Sequence, residues 1–287
     1  MAGDLSVQVL GSGGPRPDPM RAGPAALVRF GEDLFLFDAG RGVTVQLVKA
    51  GVPLERVNRL FVTHHHFDHI GDIYDLALST WLHGRRGALT VYGPPETKRI
   101  VNALVTQVYD KDIEWRDKGE PALGGWPPLV AEDLATGLVA EGDGWKIHAD
   151  TVVHGHGLDL PKAFVKRWIC YGYRFEAAGR TIAISGDTVD CSGLGRLAAD
   201  ADVLVQCCYL ANAEIESEHF RRLAKYTLAC GDTVGKIAQK AGVKTLVLTH
   251  HRPRGDDRMV ERLGNEVAQD FSGRLVIARD LDTVTLG

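Results

Sequence analysis

The sequence predicts a mixed α/β protein in which two β-sheets pack together with helices outside them. Two features carry this prediction: short apolar runs divided by Gly and Pro turns alternate with stretches of helical periodicity, and they do so in two comparable halves on either side of a turn-rich middle. The composition suits such a fold. Of 287 residues 45% are apolar, and 33 Lys and Arg face 37 Asp and Glu, for a net charge of −4.

The elements follow in order. S-V-Q-V-L-G reads as a strand, G-S-G-G-P-R-P-D-P as a turn, and A-A-L-V-R-F and L-F-L-F-D as two further strands. The spacing of Val43, Leu47 and Val48 predicts a helix to about Ala50, and R-L-F-V-T from Arg59 is a strand. Helices are predicted over Ile73–His83 and Lys98–Tyr109, with the strand and turn L-T-V-Y-G-P-P between them. From about Asp112 to Arg180 helix signals are sparse, and strand-like runs end at T-V-V, Y-G-Y-R-F and T-I-A-I-S. Then come the strand A-D-V-L-V-Q, a helix over Thr233–Ala241, the strand K-T-L-V-L-T, a helix over Arg258–Phe271, and the strands R-L-V-I-A and T-V-T-L.

Several classes are excluded by what is missing. The opening M-A-G-D-L-S-V-Q-V-L has no basic segment, and no apolar stretch approaches the roughly 18 residues of a membrane span, so a cytoplasmic protein without membrane contact is expected. The five cysteines, Cys170, Cys191, Cys207, Cys208 and Cys230, form no CxxC pair and read as reduced thiols. The acidic balance and the absence of a Lys/Arg run make nucleic acid an unlikely partner, and Arg85-Arg86 and Arg221-Arg222 read as solvated pairs.

Chemistry concentrates in Thr63-His64-His65-His66-Phe67-Asp68-His69-Ile70-Gly71-Asp72, where four of the 11 histidines fall within six positions directly after a strand. Imidazole and carboxylate together suit zinc and its first-row neighbours, and alternate side chains of a strand end face one point. His64 and His66 would therefore share one metal, with Asp68 and His69 facing a second beside it. Two metals need more ligands. His154, Asp187 and His250 each follow the C-terminal end of an apolar strand, where a lone ligand-type residue could join them. His156, two positions beyond His154, is an alternative ligand, and Asp187 could instead cap a helix from Ser192 to Ala199.

The string T-H-H-H-F-D-H resembles the HxHxDH signature of the metallo-β-lactamase superfamily, and His154, S-G-D-T around Asp187 and L-T-H at His250 fall in that family's order. V-L-G-S-G-G-P, F-L-F-D-A-G-R-G, L-T-V-Y-G-P and Y-G-Y-R-F are similar to its ribonuclease Z and arylsulfatase-like branch. The resemblance spans nearly the whole chain and implies one domain, residues 1–287, folded as a four-layer αβ/βα sandwich with two divalent metals. Zinc is expected, with manganese or iron as alternatives. His64, His66 and His154 would bind the first metal, Asp68, His69 and His250 the second, and Asp187 would bridge. A water between the cations would lose its proton near neutral pH and attack an electrophile, with Asp68 orienting it.

The resemblance breaks where ribonuclease Z proteins, which cut the 3′ end of precursor tRNA, engage RNA. No glycine-rich basic arm is present; Gln206-Cys207-Cys208-Tyr209 stands where the family reads H-E-A-T; the H-S-T element is replaced within Tyr226 to Cys230; and His251-Arg252-Pro253-Arg254 replaces F-S-x-R-Y. The expectation is therefore a hydrolase of a small, hydrophobic or aromatic ester, lactone, sulfate ester or phosphodiester, with a tRNA 3′-processing endonuclease as the alternative. A non-catalytic, metal-stabilised binding protein is the reading from another class. Leu158 to Cys170 could form an apolar lid or pack as core, and His251 and Tyr209 are candidate proton donors to the leaving group. His65, His83, His148 and His219 read as solvent-facing, and a homodimer is possible by family likeness.

Overall fold

The computed structural model describes residues 4–253 and 258–287; Met1 to Gly3 of the N-terminal run, and Arg254 of the run after His250, lie outside the described residues. In the first half lie β1 (Leu5–Gly11), β2 (Ala25–Phe30), β3 (Asp33–Phe37), α1 (Val43–Lys49), β4 (Arg59–Phe61), α2 (Phe67–Ile70), α3 (Ile73–Leu82), β5 (Leu89–Gly93), α4 (Thr97–Ala103), α5 (Asp110–Gly119) and β6 (Leu129–Asp133). The second half holds β7 (Gly137–Gly142), β8 (Trp145–Val152), α6 (Lys162–Arg167), β9 (Cys170–Ala177), β10 (Arg180–Ile184), α7 (Ser192–Ala198) and β11 (Val203–Cys207). It continues through α8 (Glu218–Tyr226), α9 (Gly231–Lys240), β12 (Thr245–Thr249), α10 (Arg258–Ala268), β13 (Arg274–Ile277) and β14 (Thr283–Leu286).

Two seven-stranded sheets result, ordered β14-β1-β2-β3-β4-β5-β6 and β13-β12-β11-β10-β9-β8-β7. Each runs antiparallel on one side and parallel on the other, with the change of direction at β3 and at β10. The last strand, β14, crosses back to pair with β1 and ties the end of the chain to the first sheet.

Period-two alternation explains the layers. In β3, Phe35 and Phe37 point between the sheets while Leu34 and Leu36 point to the outer helices; in β11, Val203 and Val205 point in and Leu204 points out. The inner layer is rich in aromatics, with Phe35 and Phe175 ring centroids 4.9 Å apart and Phe37 and Tyr173 5.5 Å apart across the sheets. Outside the first sheet pack α1, α3 and α4 through Leu47, Leu76 and Val101; outside the second pack α7, α9 and α10 through Leu197, Ile237 and Leu263. The outcome is the expected four-layer arrangement, two mixed sheets flanked by helices. Among the described residues no helix is long and apolar enough to cross a membrane.

The sequence reading misplaces some helices. The helix expected to run to Tyr109 leaves α-geometry at Ala103 and passes through a π-turn, Leu104–Val108. Helices α5, α6 and α8 were not anticipated. None of the three has a fully buried residue, and α5 and α6 carry no apolar stripe of the kind on which helix recognition depends. Helix α8 has one, Phe220, Leu223, Ala224 and Tyr226, of which Phe220 and Ala224 pack against Leu210 and Leu228 and which the sequence reading passed over. In α5 the surface is instead laced by i,i+4 ion pairs, Arg116 with Asp112 and Lys118 with Glu114.

Candidate metal centre

The site forms where strands of both sheets end. Beyond β4 the chain bends at Thr63 and is extended at His66, with φ of −66° and ψ of 145°, and His64 and His66 meet with Nε2 and Nδ1 3.0 Å apart. Asp68 and His69 are adjacent, and an extended chain would aim them oppositely. The single turn α2 places both toward the same point instead. After β10, Gly186 takes a left-handed φ of 60°, and a Cβ there would lie 2.8 Å from Tyr171 O and 2.9 Å from Thr63 Cβ, so glycine is required for Asp187 to turn inward. After β12, His250 itself is left-handed at φ 62°, a strained conformation for a branched-ring side chain that its position in the site maintains.

These turns gather the residues. His64, His66, His154 and Asp187 form one cluster of possible ligand atoms, and Asp68, His69 and His250 form another, each within 4.8 Å. In the first, His66 Nδ1 lies 3.0 Å from His64 Nε2 and 3.1 Å from His154 Nε2. In the second, His250 Nε2 lies 3.3 Å from Asp68 Oδ2 and His69 Nε2 lies 3.7 Å from it. Asp187 stands between the two: its Oδ1 is 3.5 Å from His69 Nε2, and its Oδ2 is 3.3 Å from His250 Nε2 and 3.8 Å from His154 Nε2.

Whether this set fits cations is decided by the far side of each ring. His154 Nδ1–H donates to Thr227 O at 2.6 Å, His69 Nδ1–H donates to Asp38 Oδ2 at 2.7 Å, and His64 Nδ1–H donates to Thr63 Oγ1 at 3.0 Å, whose own proton goes to Asp38 Oδ2 at 2.9 Å. Each proton on Nδ1 leaves an Nε2 lone pair aimed into the cluster. This is the arrangement that orients metal-binding histidines. His69 Nε2 is buried without any hydrogen-bond partner, an orphaned polar atom that a cation would satisfy. The residues therefore fit two divalent metals.

The same arrangement settles His156. Its Nδ1 accepts the backbone N–H of His154 at 3.1 Å, so Nε2 carries the proton and donates to Trp168 O at 2.8 Å. Both nitrogens are occupied in holding His154 and Trp168.

Electrostatics sharpen the donor set. Burial and the neighbouring imidazole charges hold His64 well below the ordinary histidine value and His66 down to about 4, and burial lowers His154 as well, which favours the neutral rings that a metal ligand requires. Burial works against the Asp187 carboxylate, but His250 and His69 outweigh it and keep Asp187 ionised well below the usual carboxylate range. Cys207 donates its thiol proton to Asp187 Oδ1 at 2.9 Å, and burial beside that carboxylate pushes the thiol far up, so it stays protonated.

Other expectations sort by position. Tyr209 is 6% exposed with its ring 5.9 Å from that of His250, whereas His251 is wholly buried, its backbone N–H bonded to Ser12 O. His83 and His219 are exposed, as expected; His65 and His148 are only half so, and His65 is pinned to Thr97 Oγ1 at 2.8 Å. From Leu158 to Arg167 the chain lies off the core, and Trp168, Ile169 and Cys170 pack back onto it. Helix α6 lies on the surface, and Trp168 rests on the site with its ring 4.7 Å from that of His66. Sequence reasoning did not single out Asp38, Thr63 or Thr227. The signal available for Asp38 was a lone carboxylate closing the apolar strand L-F-L-F, the same pattern that marked Asp187.

Fold and site together define a metallohydrolase built on two facing mixed sheets. Residues 34–251 match the Beta-lactamase superfamily domain, and the chain belongs to that superfamily as one of its metallo-β-lactamase-type hydrolases. Ribonuclease Z of Mycobacterium bovis (strain BCG / Pasteur 1173P2) is 31% identical over 285 residues, 98% of each chain, and Ribonuclease Z of Mycolicibacterium paratuberculosis (strain ATCC BAA-968 / K-10) is 33% identical over the same span and shares. The metallo-β-lactamase fold protein YhfI from Bacillus subtilis superposes with a TM-score of 0.76 at 20% identity, covering 99% of this chain and 100% of its own.

These relatives overturn the expectation that nucleic acid is an unlikely partner, because proteins alike over 98% of the chain are ribonucleases. The error was to read charge over the whole sequence. Lys162 and Lys166 on α6, and Arg222 and Lys225 on α8, are exposed on the short helices that precede Trp168 and Thr227, local positive charge that a net charge of −4 averages away, while Arg167 and Arg221 are paired with Glu96 and Glu218. Membership in a hydrolase family also sets aside the non-catalytic binding protein.

Proposed function

We propose that the protein is a dinuclear metal-dependent phosphodiesterase that cleaves RNA, in the manner of a tRNA 3′-processing endonuclease. The observation that carries the reading is Asp187, buried and ionised between two sets of three ligand-type residues, in a chain alike to ribonucleases Z from end to end. Since both sheets supply ligands, residues 1–287 are taken as one catalytic domain, and the five free thiols suit a reducing cytoplasm.

His64, His66 and His154 would hold one cation, Asp68, His69 and His250 the other, with Asp187 across both. Zinc suits this imidazole and carboxylate set; when bound, the pair acidifies a water and neutralises charge on the scissile phosphate. The chain's residues do the rest. Asp38, through Thr63, and the carbonyl of Thr227 keep three imidazoles in the ligating tautomer. The Asp68 carboxylate, with His250 Nε2 at 3.3 Å, faces the shared centre and would accept a proton from the attacking water. Tyr209, beside His250, is better placed than the wholly buried His251 to return a proton to the leaving oxygen.

A second reading, hydrolysis of a smaller aromatic ester or phosphodiester, is favoured by one observation: the segment Tyr226–Cys230, which touches His154 through Thr227, contains no histidine. One experiment separates the two. Purified protein with about two zinc ions per chain is incubated with a precursor tRNA carrying a 3′ trailer, and in parallel with aryl phosphodiesters and esters. Cleavage after the discriminator nucleotide, abolished by chelation and by Asp187→Ala, is expected. Aryl ester turnover with intact precursor would leave the second reading and remove the first.

A further inference from the structure

Of the seven candidate ligands, His64, Asp68, His69, His154, Asp187 and His250 are at most 3% exposed, and only His66 faces solvent. A substrate must therefore reach the centre past His66. What stands at that opening is aromatic. Trp168 lies 4.7 Å from the His66 ring at a 45° tilt, and Phe164 stacks on Trp168 at 5.6 Å with planes 18° apart. Phe164 is 41% exposed, a large apolar ring left partly in water at the end of this stack.

The stack is held in place from two sides. Trp168 Nε1 donates to His154 O at 2.8 Å, and its own carbonyl receives His156 Nε2 at 2.8 Å. Helix α6, which carries Phe164, is anchored to the turn before α4 by Arg167, whose guanidinium grips Glu96 at 2.6 and 2.9 Å. On the same helix Lys162 and Lys166 are exposed, but at two positions either side of Phe164 they lie on the opposite face of α6. A preformed, partly exposed aromatic face next to the open side of a phosphodiesterase centre complements a planar base.

We propose that Phe164, backed by Trp168, is a stacking shelf for an unpaired nucleobase adjoining the scissile phosphate. This deepens the ribonuclease reading and rests on it. Stacking of one base on an aromatic ring is worth between about fivefold and a hundredfold in affinity. Phe164 is partly exposed and outside the core, so Phe164→Ala should fold normally.

The test measures fluorescence anisotropy of a labelled, non-cleavable 2′-O-methyl RNA strand with the zinc-loaded protein, and kcat and KM on precursor tRNA. Phe164→Ala is expected to raise Kd and KM by between about fivefold and a hundredfold, with the loss in KM rather than kcat, and Phe164→Tyr to restore both. An RNA strand with abasic sites should bind wild type and Phe164→Ala with the same weakened affinity. Unchanged Kd in Phe164→Ala, or abasic RNA bound as tightly as normal RNA, overturns the shelf. Binding that depends on Phe164 without any tRNA cleavage keeps the shelf and removes the processing reading; cleavage with unaltered KM does the reverse. A wild type that neither binds nor cuts RNA removes both.

Discussion

Asp38 offers the sharpest test of how the centre is built. It is 5% exposed and accepts three hydrogen bonds: Thr63 N–H on Oδ1 at 2.8 Å, and both Thr63 Oγ1–H and His69 Nδ1–H on Oδ2, at 2.9 and 2.7 Å. Asp38→Asn keeps the size, and asparagine tolerates the left-handed φ of 60° found there. If the amide oxygen stays with Thr63 N–H, the NH2 group replaces Oδ2 and meets two donors. His69 must then accept on Nδ1, which moves its proton to Nε2 and removes the lone pair needed for the second cation. The Thr63 hydroxyl proton is displaced as well, which loosens the grip on His64 Nδ1 at 3.0 Å. Changes to such supporting groups cost about 10- to 100-fold in metal affinity, or about 1.4 to 2.8 kcal/mol. Competition titration with a chromophoric zinc chelator should find one tight and one weakened site in Asp38→Asn, with a melting curve near wild type as a check on folding. Two sites of undiminished affinity would refute the tautomer argument.

Two further outcomes test the scaffold. Phe175, fully buried between the sheets against Phe35, should cost about 3 to 5 kcal/mol when changed to Ala, read as a drop in denaturant midpoint. Burial opposes the Asp202 carboxylate, but Lys244 Nζ at 2.7 Å and Thr181 N–H at 2.8 Å outweigh it and lower its pKa. A carboxylate whose folded value is depressed stabilises above its unfolded value and loses that contribution as pH falls through the folded one. Asp202→Asn should therefore be less stable than wild type at pH 7 and converge with it in acid, and a constant gap from pH 7 to pH 2 would contradict the assignment.

How much of this the sequence disclosed depends on whether the cause of each feature is local. The strands were legible because alternation in runs such as L-F-L-F is set by neighbours two apart. The ligands were legible for a related reason: each is a hydrophilic residue at the point where an apolar strand stops, so His64, Asp187 and His250 stand out against what precedes them. Asp38 fits the same rule and was passed over only because a carboxylate after a strand has many ordinary uses. Thr227 could not have been found this way. It acts through its carbonyl, which every residue has, and its nearness to His154 across 73 positions is a product of the fold. The stripe Phe220, Leu223, Ala224 and Tyr226 of α8 was there to be read and was missed, whereas helices α5 and α6 escaped because with no buried face they leave no periodic trace.

That last omission bears on function. The property that hid α6, the lack of a buried face, is also what leaves Phe164 partly in water beside the site. A helix that buries nothing contributes little to a core, so its sequence is free to be written for something outside the molecule. In α6 the residue so placed is Phe164, stacked on Trp168 next to the one candidate ligand that solvent reaches. The chain lacks the family's glycine-rich basic arm, and it is the stretch between His154 and β9, short and folded back through Trp168, that stands over the centre in this structure. Contact with RNA would then depend on a few fixed rings near the cut. Such a surface would favour recognition of the unpaired end of a substrate over that of its folded body, and precursor tRNA and a short single strand sharing its 3′ sequence should be cut with similar kcat/KM. A preference for the intact precursor of a hundredfold or more would place the decisive contacts away from α6.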